Sequence, residues 1–481
     1  MFYRDLGQGI VAALIKVLET NSCIRKLELI LCTIGDMGAA ALAKVLTNSG
    51  LVHLLLMDTS ISDIGATALA KALKNSALSE LGLHEDLIGD KGALELAHAL
   101  EENSVLTSLE LASSKITEVG AVALAKALKN SKLERLNLSH GRIGDSTLEL
   151  GRALEENSTL TRLTLVGDGI AAQGASALAE GLNRNSTLEE LDLSFNRINE
   201  NGAWALAKAL KNSMLTKLNL SHNAIGDKGA DELAQALQEN STLTTLNFAE
   251  NGIGNKGAAA LAEALQMNST LTELDLSVND IGSKGAAALA EALEENSPIT
   301  QLKLYKNYIG RKGAAALAEA LQTNSILTSL SLSENDIGNK GAAALAEALQ
   351  VNSTLTELKL YQNDIGSKGA AALADALQRN TMLTILRLSD NGIGNKGATA
   401  LAEALEENST LEHLELSNNE VGDEGACALA QSVKKNATLT FLAFSENNIS
   451  DENTAALKNA LKECQRRREE EMVQAVEEAE R

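Results

Sequence analysis

The chain has 481 residues and a formal net charge of −22, with 2% aromatic residues and a single proline. This acidity disfavours binding to nucleic acid or to an anionic membrane and favours association with a basic partner; the alternative is that it serves solubility alone. No segment approaches the roughly 20 apolar residues that span a bilayer, and the four cysteines are too few and too scattered for a disulfide framework. We therefore predict a cytoplasmic protein with reduced cysteines.

One pattern recurs along the whole chain with a nearly fixed period. An L-x-x-L-x-L segment starts every 27 or 28 residues, and its sixteen copies, numbered here as repeats 1–16, begin at positions 24, 51, 78, 106, 133, 160, 188, 215, 243, 271, 299, 327, 355, 383, 411 and 439. Such a period predicts a stack of repeats. A unit of this size cannot bury its apolar face alone, so stability comes from contacts between neighbours.

Repeat 10 shows the predicted strand, turn and helix most clearly. Leu271, Leu274 and Leu276 predict a strand with one buried face. Ser283 is in position to cap the following helix at its N-terminus. The apolar stripe of that helix is predicted at the spacing i, i+3, i+4 and i+7, by Ala286, Leu289, Ala290 and Leu293.

Two asparagines in each regular repeat predict how neighbours are joined. Asn279 holds the ninth position, which is asparagine in all ten copies from Asn196 to Asn447. Its amide is predicted to bond to turn backbone of adjacent repeats. Asn296 holds a position that is asparagine in all sixteen copies, and we expect it to end the helix in the left-handed conformation.

The repeat pattern divides the chain into three segments. Residues 1–23 are predicted to be an N-terminal half-repeat that keeps a capping helix but no strand, residues 24–463 the sixteen repeats, and residues 464–481 a charged helical tail. The last helix is expected to begin near Asp451, with Leu457, Leu461 and Cys464 on its buried stripe. The first six repeats are predicted to be softer, because their ninth positions lack asparagine and hold Cys32, Thr59, Asp86, Ser114, Gly141 and Asp168.

The repeat LTELDLSVNDIGSKGAAALAEALEENS, residues 271–297, resembles the leucine-rich repeat in its ribonuclease-inhibitor-like subtype, and is most similar to repeats of NOD-like receptors. The resemblance implies an α/β solenoid of horseshoe shape, with a parallel sheet on the concave face and helices on the convex face. It also implies protein recognition and carries over no catalytic residue. Unlike those receptors, the chain contains no G-x-x-x-x-G-K-[ST] segment.

Candidate binding residues lie at the third, fifth, seventh and eighth positions of the repeats, which alternate with the buried leucines. An apolar cluster consists of Ile30, Leu31, Leu55 and Met57. A tyrosine cluster, basic and aromatic, consists of Lys303, Tyr305, Lys306, Lys359, Tyr361 and Arg387. Phe195 and Phe441 are further candidates, because aromatic and arginine side chains are typical of binding hot spots. The alternatives are that the N-terminal segment covers the apolar cluster and that the tyrosine cluster is neutral variation.

No residue pattern indicates catalysis. The six histidines lie in different repeats without metal-ligand spacing, so neither a metal nor a cofactor is expected. We predict a non-catalytic scaffold that binds a protein or peptide, including a basic one, in a regulatory or innate-immune-like role. The alternatives are a GTPase-activating regulator resembling Ran GTPase-activating protein and a ribonuclease-inhibitor-like enzyme inhibitor. The oligomeric state stays open.

Overall fold

A computed structural model describes residues 4–5, 8–295 and 297–479, together with their side chains except those of residues 4–5, 8–10, 145 and 471–479. The predicted helix-ending Asn296 and the last residues of the predicted tail lie outside this description. The chain divides into two compact units, Met1–Asn247 (unit 1) and Phe248–Arg481 (unit 2).

Unit 1 alternates strands with helices. Its strands are β1 (Arg4–Asp5), β2 (Lys26–Ile30), β3 (Cys32–Thr33), β4 (His53–Met57), β5 (Glu80–His84), β6 (Ser108–Glu110), β7 (Arg135–Asn137), β8 (Arg162–Thr164), β9 (Glu190–Asp192), β10 (Lys217–Asn219) and β11 (Thr245–Asn247). Its helices are α1 (Gln8–Thr20), α2 (Gly35–Leu46), α3 (Asp63–Leu73), α4 (Asp90–Glu102), α5 (Glu118–Leu128), α6 (Thr147–Glu156), α7 (Ala172–Leu182), α8 (Asn199–Leu210) and α9 (Gly226–Glu239). The strands β2 and β4–β11 form a parallel sheet in chain order.

Unit 2 repeats the same alternation with greater regularity. Its helices are α10 (Asn255–Met267), α11 (Gly282–Glu294), α12 (Gly310–Thr323), α13 (Gly338–Leu349), α14 (Gly366–Leu377), α15 (Gly394–Glu407), α16 (Asp423–Lys435) and α17 (Asp451–Ala479). Its strands are β12 (Glu273–Asp275), β13 (Gln301–Lys303), β14 (Ser329–Ser331), β15 (Glu357–Lys359), β16 (Ile385–Arg387), β17 (His413–Glu415) and β18 (Phe441–Ala443). Consecutive strands pair in parallel with equivalent residues opposite each other.

The core consists of the positions that the period predicts. Leu271, Leu274 and Leu276 are at most 1% exposed. The predicted helix stripe is at most 2% exposed in all four of its members, Ala286, Leu289, Ala290 and Leu293. Small alanines on this stripe let each helix pack closely on the next. Within each unit, the predicted fold class, an α/β leucine-rich-repeat solenoid with a parallel sheet on one side and helices on the other, is confirmed.

The asparagine at the ninth position joins neighbouring repeats as predicted. The side-chain amide of Asn279 donates to the carbonyl of Phe248 in the preceding repeat at 3.0 Å, and also to Leu276 at 2.9 Å. Its Oδ1 accepts the backbone N–H groups of Asn251 and Ile253, both at 3.0 Å. One buried side chain therefore satisfies turn backbone that would otherwise lose its hydrogen bonds.

The predicted helix cap at Ser283 is wrong. Helix α11 begins at Gly282, so Ser283 lies inside its first turn, and the cap residue Ile281 makes no side-chain cap bond. The equivalent residue instead caps the helix of the following repeat. Asn255 Oδ1 accepts the backbone N–H of Gly285 in α11 at 2.8 Å, and Asp90 Oδ1 accepts that of Gly120 in α5 at 2.9 Å. Stacking places each polar side chain nearer to its neighbour's helix end than to its own.

The predicted left-handed conformation at the helix-ending asparagine is also wrong where the structure describes it. Asn324, which follows α12, has φ −66° and ψ 128°, in the extended region. Its amide donates to the carbonyl of Leu293 in the preceding helix at 2.8 Å, and its Oδ1 accepts the N–H of Leu327 at 2.8 Å. This asparagine therefore ends a helix by bonding to the adjacent helix end, and it forms a further link between repeats.

The two chain ends depart from the regular unit. Strand β1 was not expected; it pairs in parallel with β3 and not with β2. Helix α1 precedes residue 23. At the other end, α17 begins at Asp451 as predicted, and Leu457 and Cys464 are buried on its stripe. Leu461 is only half-buried, and Ala460 takes the buried place beside it.

Candidate protein-binding surface

The eighth position of every repeat has a positive φ, which the sequence analysis did not predict. Fifteen of these residues are not glycine, and their φ values lie between 51° and 59°. In repeat 11 the backbone N–H of Lys306 donates to the carbonyl of Ser333 in the next repeat at 2.9 Å. The backbone bond between repeats fixes the left-handed turn, and the eighth-position side chains form a row beside the strands.

The three basic residues that the tyrosine cluster places on strands are paired with carboxylates. Lys303 Nζ lies 3.6 Å from Asp275 Oδ2, and Lys359 Nζ lies 3.1 Å from Glu357 Oε1. Arg387 forms a third pair, with Nη1 2.9 Å from an oxygen of Glu415. Burial acts to raise the pKa of Glu357, but hydrogen bonds and the charges of Lys359 and Arg387 outweigh it, so that pKa is lowered. The strand positions of the cluster are thus closer to electrically neutral than the sequence indicated.

The two tyrosines lie beside carboxylates of the eighth-position row. Tyr305 Oη donates to Glu334 Oε1 at 2.6 Å. This hydrogen bond, with burial and the charge of Glu334, raises the pKa of Tyr305 to about 12. The negative charge of Asp390 raises the pKa of Tyr361, with smaller contributions from burial and from the charges of Glu334 and Glu446. Both hydroxyls therefore lie in a negative field.

Sequence reasoning missed these three carboxylates. Glu334, Asp390 and Glu446 hold the eighth positions of repeats 12, 14 and 16. These carboxylates are distant from Tyr305 and Tyr361 along the chain. Their closeness to the tyrosine hydroxyls depends on the stacking of neighbouring turns, which the sequence pattern does not give. The available signal was the acidic residue immediately before the ninth-position asparagine in each of these repeats.

The apolar cluster lies on β2 and β4 and in the turn after β2. Ile30 pairs with Met57 across the two strands, and Leu55 pairs with Gly82 on β5. Ile30 is 45% exposed, while Leu31, Leu55 and Met57 are half-buried. The structure thus brings these four residues together in unit 1. A Cβ on Gly82 would lie 2.7 Å from Leu55 Cδ1, so Leu55 occupies the space that Gly82 leaves open.

A charged network at the third positions of repeats 2, 3 and 5 lies beside the apolar cluster. His53 Nδ1 lies 2.8 Å from Glu80 Oε2, and Arg135 Nη2 donates to the other oxygen of Glu80 at 2.9 Å. The hydrogen bond from His53 lowers the pKa of Glu80, with Arg135 contributing in the same direction against burial. The neighbouring strands β4 and β5, and β7 beyond the intervening β6, are in this way linked across the sheet surface.

The two further phenylalanine candidates each lie against a histidine. The rings of Phe195 and His222 are stacked with centroids 3.8 Å apart, and Phe195 is 55% exposed. The rings of His413 and Phe441 are less closely stacked, with centroids 5.6 Å apart. The first pair is in unit 1 at eighth positions, and the second pair is in unit 2 at third positions. Neither histidine partner was a candidate from the sequence.

The repeat geometry agrees with the comparison to known families. The sequence profile of the Leucine Rich repeat family matches twelve segments that together cover more than half of the chain: residues 20–43, 102–125, 129–149, 184–207, 211–234, 239–262, 268–290, 323–346, 351–374, 379–402, 407–430 and 435–452. The chain belongs to the leucine-rich-repeat family. No curated protein sequence matches it.

Two solved structures match the chain at low sequence identity. The TLR13 chain of the TLR13–ssRNA13 complex matches 92% of this chain at 19% identity and a TM-score of 0.53, and the match spans 63% of that chain. The leiomodin-1 actin-binding site 2 matches 40% of this chain and 95% of its own at 22% identity, with a TM-score of 0.29. The first of these similarities is evidence for the fold alone.

The described residues hold neither a membrane-spanning helix nor a metal-ligand cluster. No helix among them is both long enough and apolar enough to cross a bilayer. Within the same residues, no group of three or more histidine, cysteine or carboxylate side chains is arranged to hold a metal ion.

Proposed function

We propose that this leucine-rich-repeat protein is a non-catalytic scaffold that binds a protein or peptide partner on the exposed face of its sheet. The observation that carries the proposal is the contrast between fixed and variable positions in unit 2. Leu302, Leu330 and Leu358 are buried and pair in register, whereas the exposed positions beside them hold lysine, tyrosine, serine and carboxylate side chains in different combinations.

The rigidity of the backbone favours this use of the surface. Within unit 2, neighbouring repeats are bonded through strand pairing, the ninth-position asparagine and the helix-ending asparagine. A surface that is already ordered loses little conformational freedom when it binds a partner. Tyrosine and arginine side chains on such a surface are typical of the residues that contribute most binding energy.

The ribonuclease-inhibitor-like subtype is part of the same proposal. Helices α2–α16 contain 10 to 14 residues each, which supports a repeat type with a full helix per unit. The similarity of repeat 10 to NOD-like receptor repeats supports a regulatory role. A cytoplasmic location is supported by the four cysteines, all of which are free thiols.

Site-specific photo-crosslinking tests the proposed binding face. A photoreactive amino acid is introduced at Lys303 on the sheet or, as the matched control, at Lys312 on α12; both lysines are exposed in the same repeat. We expect the sheet position to cross-link a defined protein from cell lysate and the helix position to give none of that product. Cross-linking of the same protein through Lys312 alone would place binding on the helices and overturn the proposal.

A further inference from the structure

We propose that the two tyrosines of the tyrosine cluster and the neighbouring carboxylates Glu334 and Asp390 form a recognition site for an arginine-bearing segment of a partner protein. This inference rests on the proposed function and assigns the partner chemistry to one part of unit 2. It reverses the sequence-based interpretation of the same residues as a basic surface.

The first argument is the spacing of the aromatic side chains. Tyr305 and Tyr361 hold the seventh positions of repeats 11 and 13, and Ser333 holds the seventh position of repeat 12 between them. Strands β13, β14 and β15 pair in register, so the two tyrosine Cα atoms are about 10 Å apart at two strand spacings. The small serine keeps the row between the tyrosines free of a large side chain, which leaves aromatic surface available to a ligand.

The second argument is the distribution of charge. The cations on the strands already face carboxylates, since Lys303 pairs with Asp275 and Lys359 with Glu357. In contrast, the carboxylate of Glu334 accepts a neutral hydroxyl from Tyr305, and that of Asp390 accepts a neutral amide from Asn418. These carboxylates therefore keep their negative charge uncompensated by the partners that the structure gives them.

The third argument is the match between this arrangement and one side chain. A guanidinium stacks on aromatic rings and also donates in a planar fork to carboxylates. Tyrosine faces bordered by carboxylates offer both interactions at one place. The raised pKa values of Tyr305 and Tyr361 support the assignment, because they report a negative field at the hydroxyls. Lys306, at the eighth position of repeat 11, is the cation that flanks the site on one side.

Peptide titration with the full chain tests the proposal. The probe is a fluorescent peptide of repeated Arg-Gly-Ser, and the same peptide with glutamate in place of arginine is its counterpart. We expect only the arginine peptide to bind. Tyr361→Ala and Asp390→Asn should each weaken this binding about tenfold, within the range for a cation–π contact and at the lower end for a hydrogen bond to a charged group. Tyr361→Phe, which keeps the ring, should retain most of the affinity.

Matched controls separate the site from the general acidity of the chain. Tyr308 is exposed in the same repeat as Tyr305, and Asp375 is exposed on α14, so Tyr308→Ala and Asp375→Asn should leave peptide binding unchanged. Equal weakening by the controls, or no binding of the arginine peptide to a chain that still cross-links its partner through Lys303, would overturn this inference. In the second case the proposed function would stand. Denaturant unfolding of each variant checks that the fold is intact.

Discussion

The backbone N–H of Asp168 donates to Oδ1 of Asn196 at 3.0 Å, which joins the ninth positions of repeats 6 and 7. The two side chains differ in how fully their polar atoms are hydrogen-bonded. Asn196 donates its own amide to the carbonyls of Leu165 and Leu193, at 2.7 and 2.9 Å. A carboxylate cannot donate in this way when it is ionised. Asp168 is 1% exposed, and its Oδ2 has no hydrogen-bond partner.

Replacing Asp168 by asparagine should stabilise unit 1. Burial raises the pKa of Asp168 from 3.8 to about 8, against one hydrogen bond from Gly141. A raised folded-state pKa means that the folded chain holds a proton which the unfolded chain releases, so stability falls as pH rises from about 4 to about 8. We expect Asp168→Asn to raise the free energy of unfolding by several kcal/mol at pH 9, on the order of 1.4 kcal/mol per pKa unit.

Urea unfolding of both chains at pH 6 and pH 9 measures this effect. The natural chain should be less stable at the higher pH, and Asp168→Asn should reduce that difference. Asp86 provides the comparison, because burial raises its pKa but three donors from Thr59 and Ile61 oppose the shift. Asp86→Asn should therefore raise the free energy of unfolding by a smaller amount. A natural chain whose stability does not change between the two pH values would contradict the prediction.

Replacing Asp90 by alanine should loosen the helix of the next repeat. Asp90 is the first residue of α4, yet its Oδ1 accepts the N–H groups of Thr117 and Gly120 at the start of α5. Removing a cap of this kind costs about 1 kcal/mol. Amide hydrogen exchange should become faster at Gly120. Lys91→Ala, at the exposed neighbouring residue, is the control; faster exchange confined to α4 would show that the cap acts on its own helix instead.

The same cap should weaken in acid. Burial acts to raise the pKa of Asp90, but hydrogen bonds from Thr117 and Gly120 outweigh it and the pKa is lowered below 3.8. A lowered folded-state pKa stabilises the protein above pH 3.8 and loses that contribution as pH falls through the folded value. The stability difference between the natural chain and Asp90→Ala should therefore shrink below pH 4.

The strands and the core could be predicted from the sequence because each repeat carries its own apolar period. The burial of Leu274 and Leu289 follows from the spacing of apolar residues within a few positions of each. The cap made by Asn255 could not be predicted, since a local pattern assigns a polar residue to its own helix and the bond goes to the next one. The same limit applies to the tyrosine cluster. Tyr305 and Glu334 are 29 residues apart, and only the stacking of turns brings them together.

Replacing Val278 by asparagine should stabilise unit 2. Val278 holds the eighth position of repeat 10 with φ 56°, a region that β-branched residues rarely adopt. The bond from its backbone N–H to the carbonyl of Tyr305, at 2.6 Å, holds it there. Asparagine tolerates this conformation, so Val278→Asn should raise the free energy of unfolding by about 1 kcal/mol. Urea unfolding measures this increase in stability. Val278→Ala, which keeps a Cβ, should increase the stability by a smaller amount. Loss of stability in both variants would exclude backbone strain at this residue.

Replacing Arg468 by alanine should destabilise the last repeat. Arg468 Nη1 donates to the carbonyl of Thr438 at 3.0 Å, and Nη2 donates to Glu412 Oε1 at 2.6 Å. The side chain is 32% exposed, so its hydrogen bonds are partly protected from water, and their loss should cost about 1 kcal/mol. In the repeat stack, this loss acts on the terminal unit first, because that unit has a neighbour on one side only.

Arg466 provides the matched control for this prediction. It pairs with Glu470 at 2.9 Å on the same helix and is exposed, and such a pair contributes roughly 0.3–0.5 kcal/mol. Hydrogen exchange at β18 should become faster in Arg468→Ala and change little in Arg466→Ala. Equal effects of the two substitutions would mean that the arginines stabilise α17 only through helix-surface charge. A larger effect of Arg468 would show that the charged helix stabilises the end of the sheet through its bonds to the carbonyl of Thr438 and the carboxylate of Glu412.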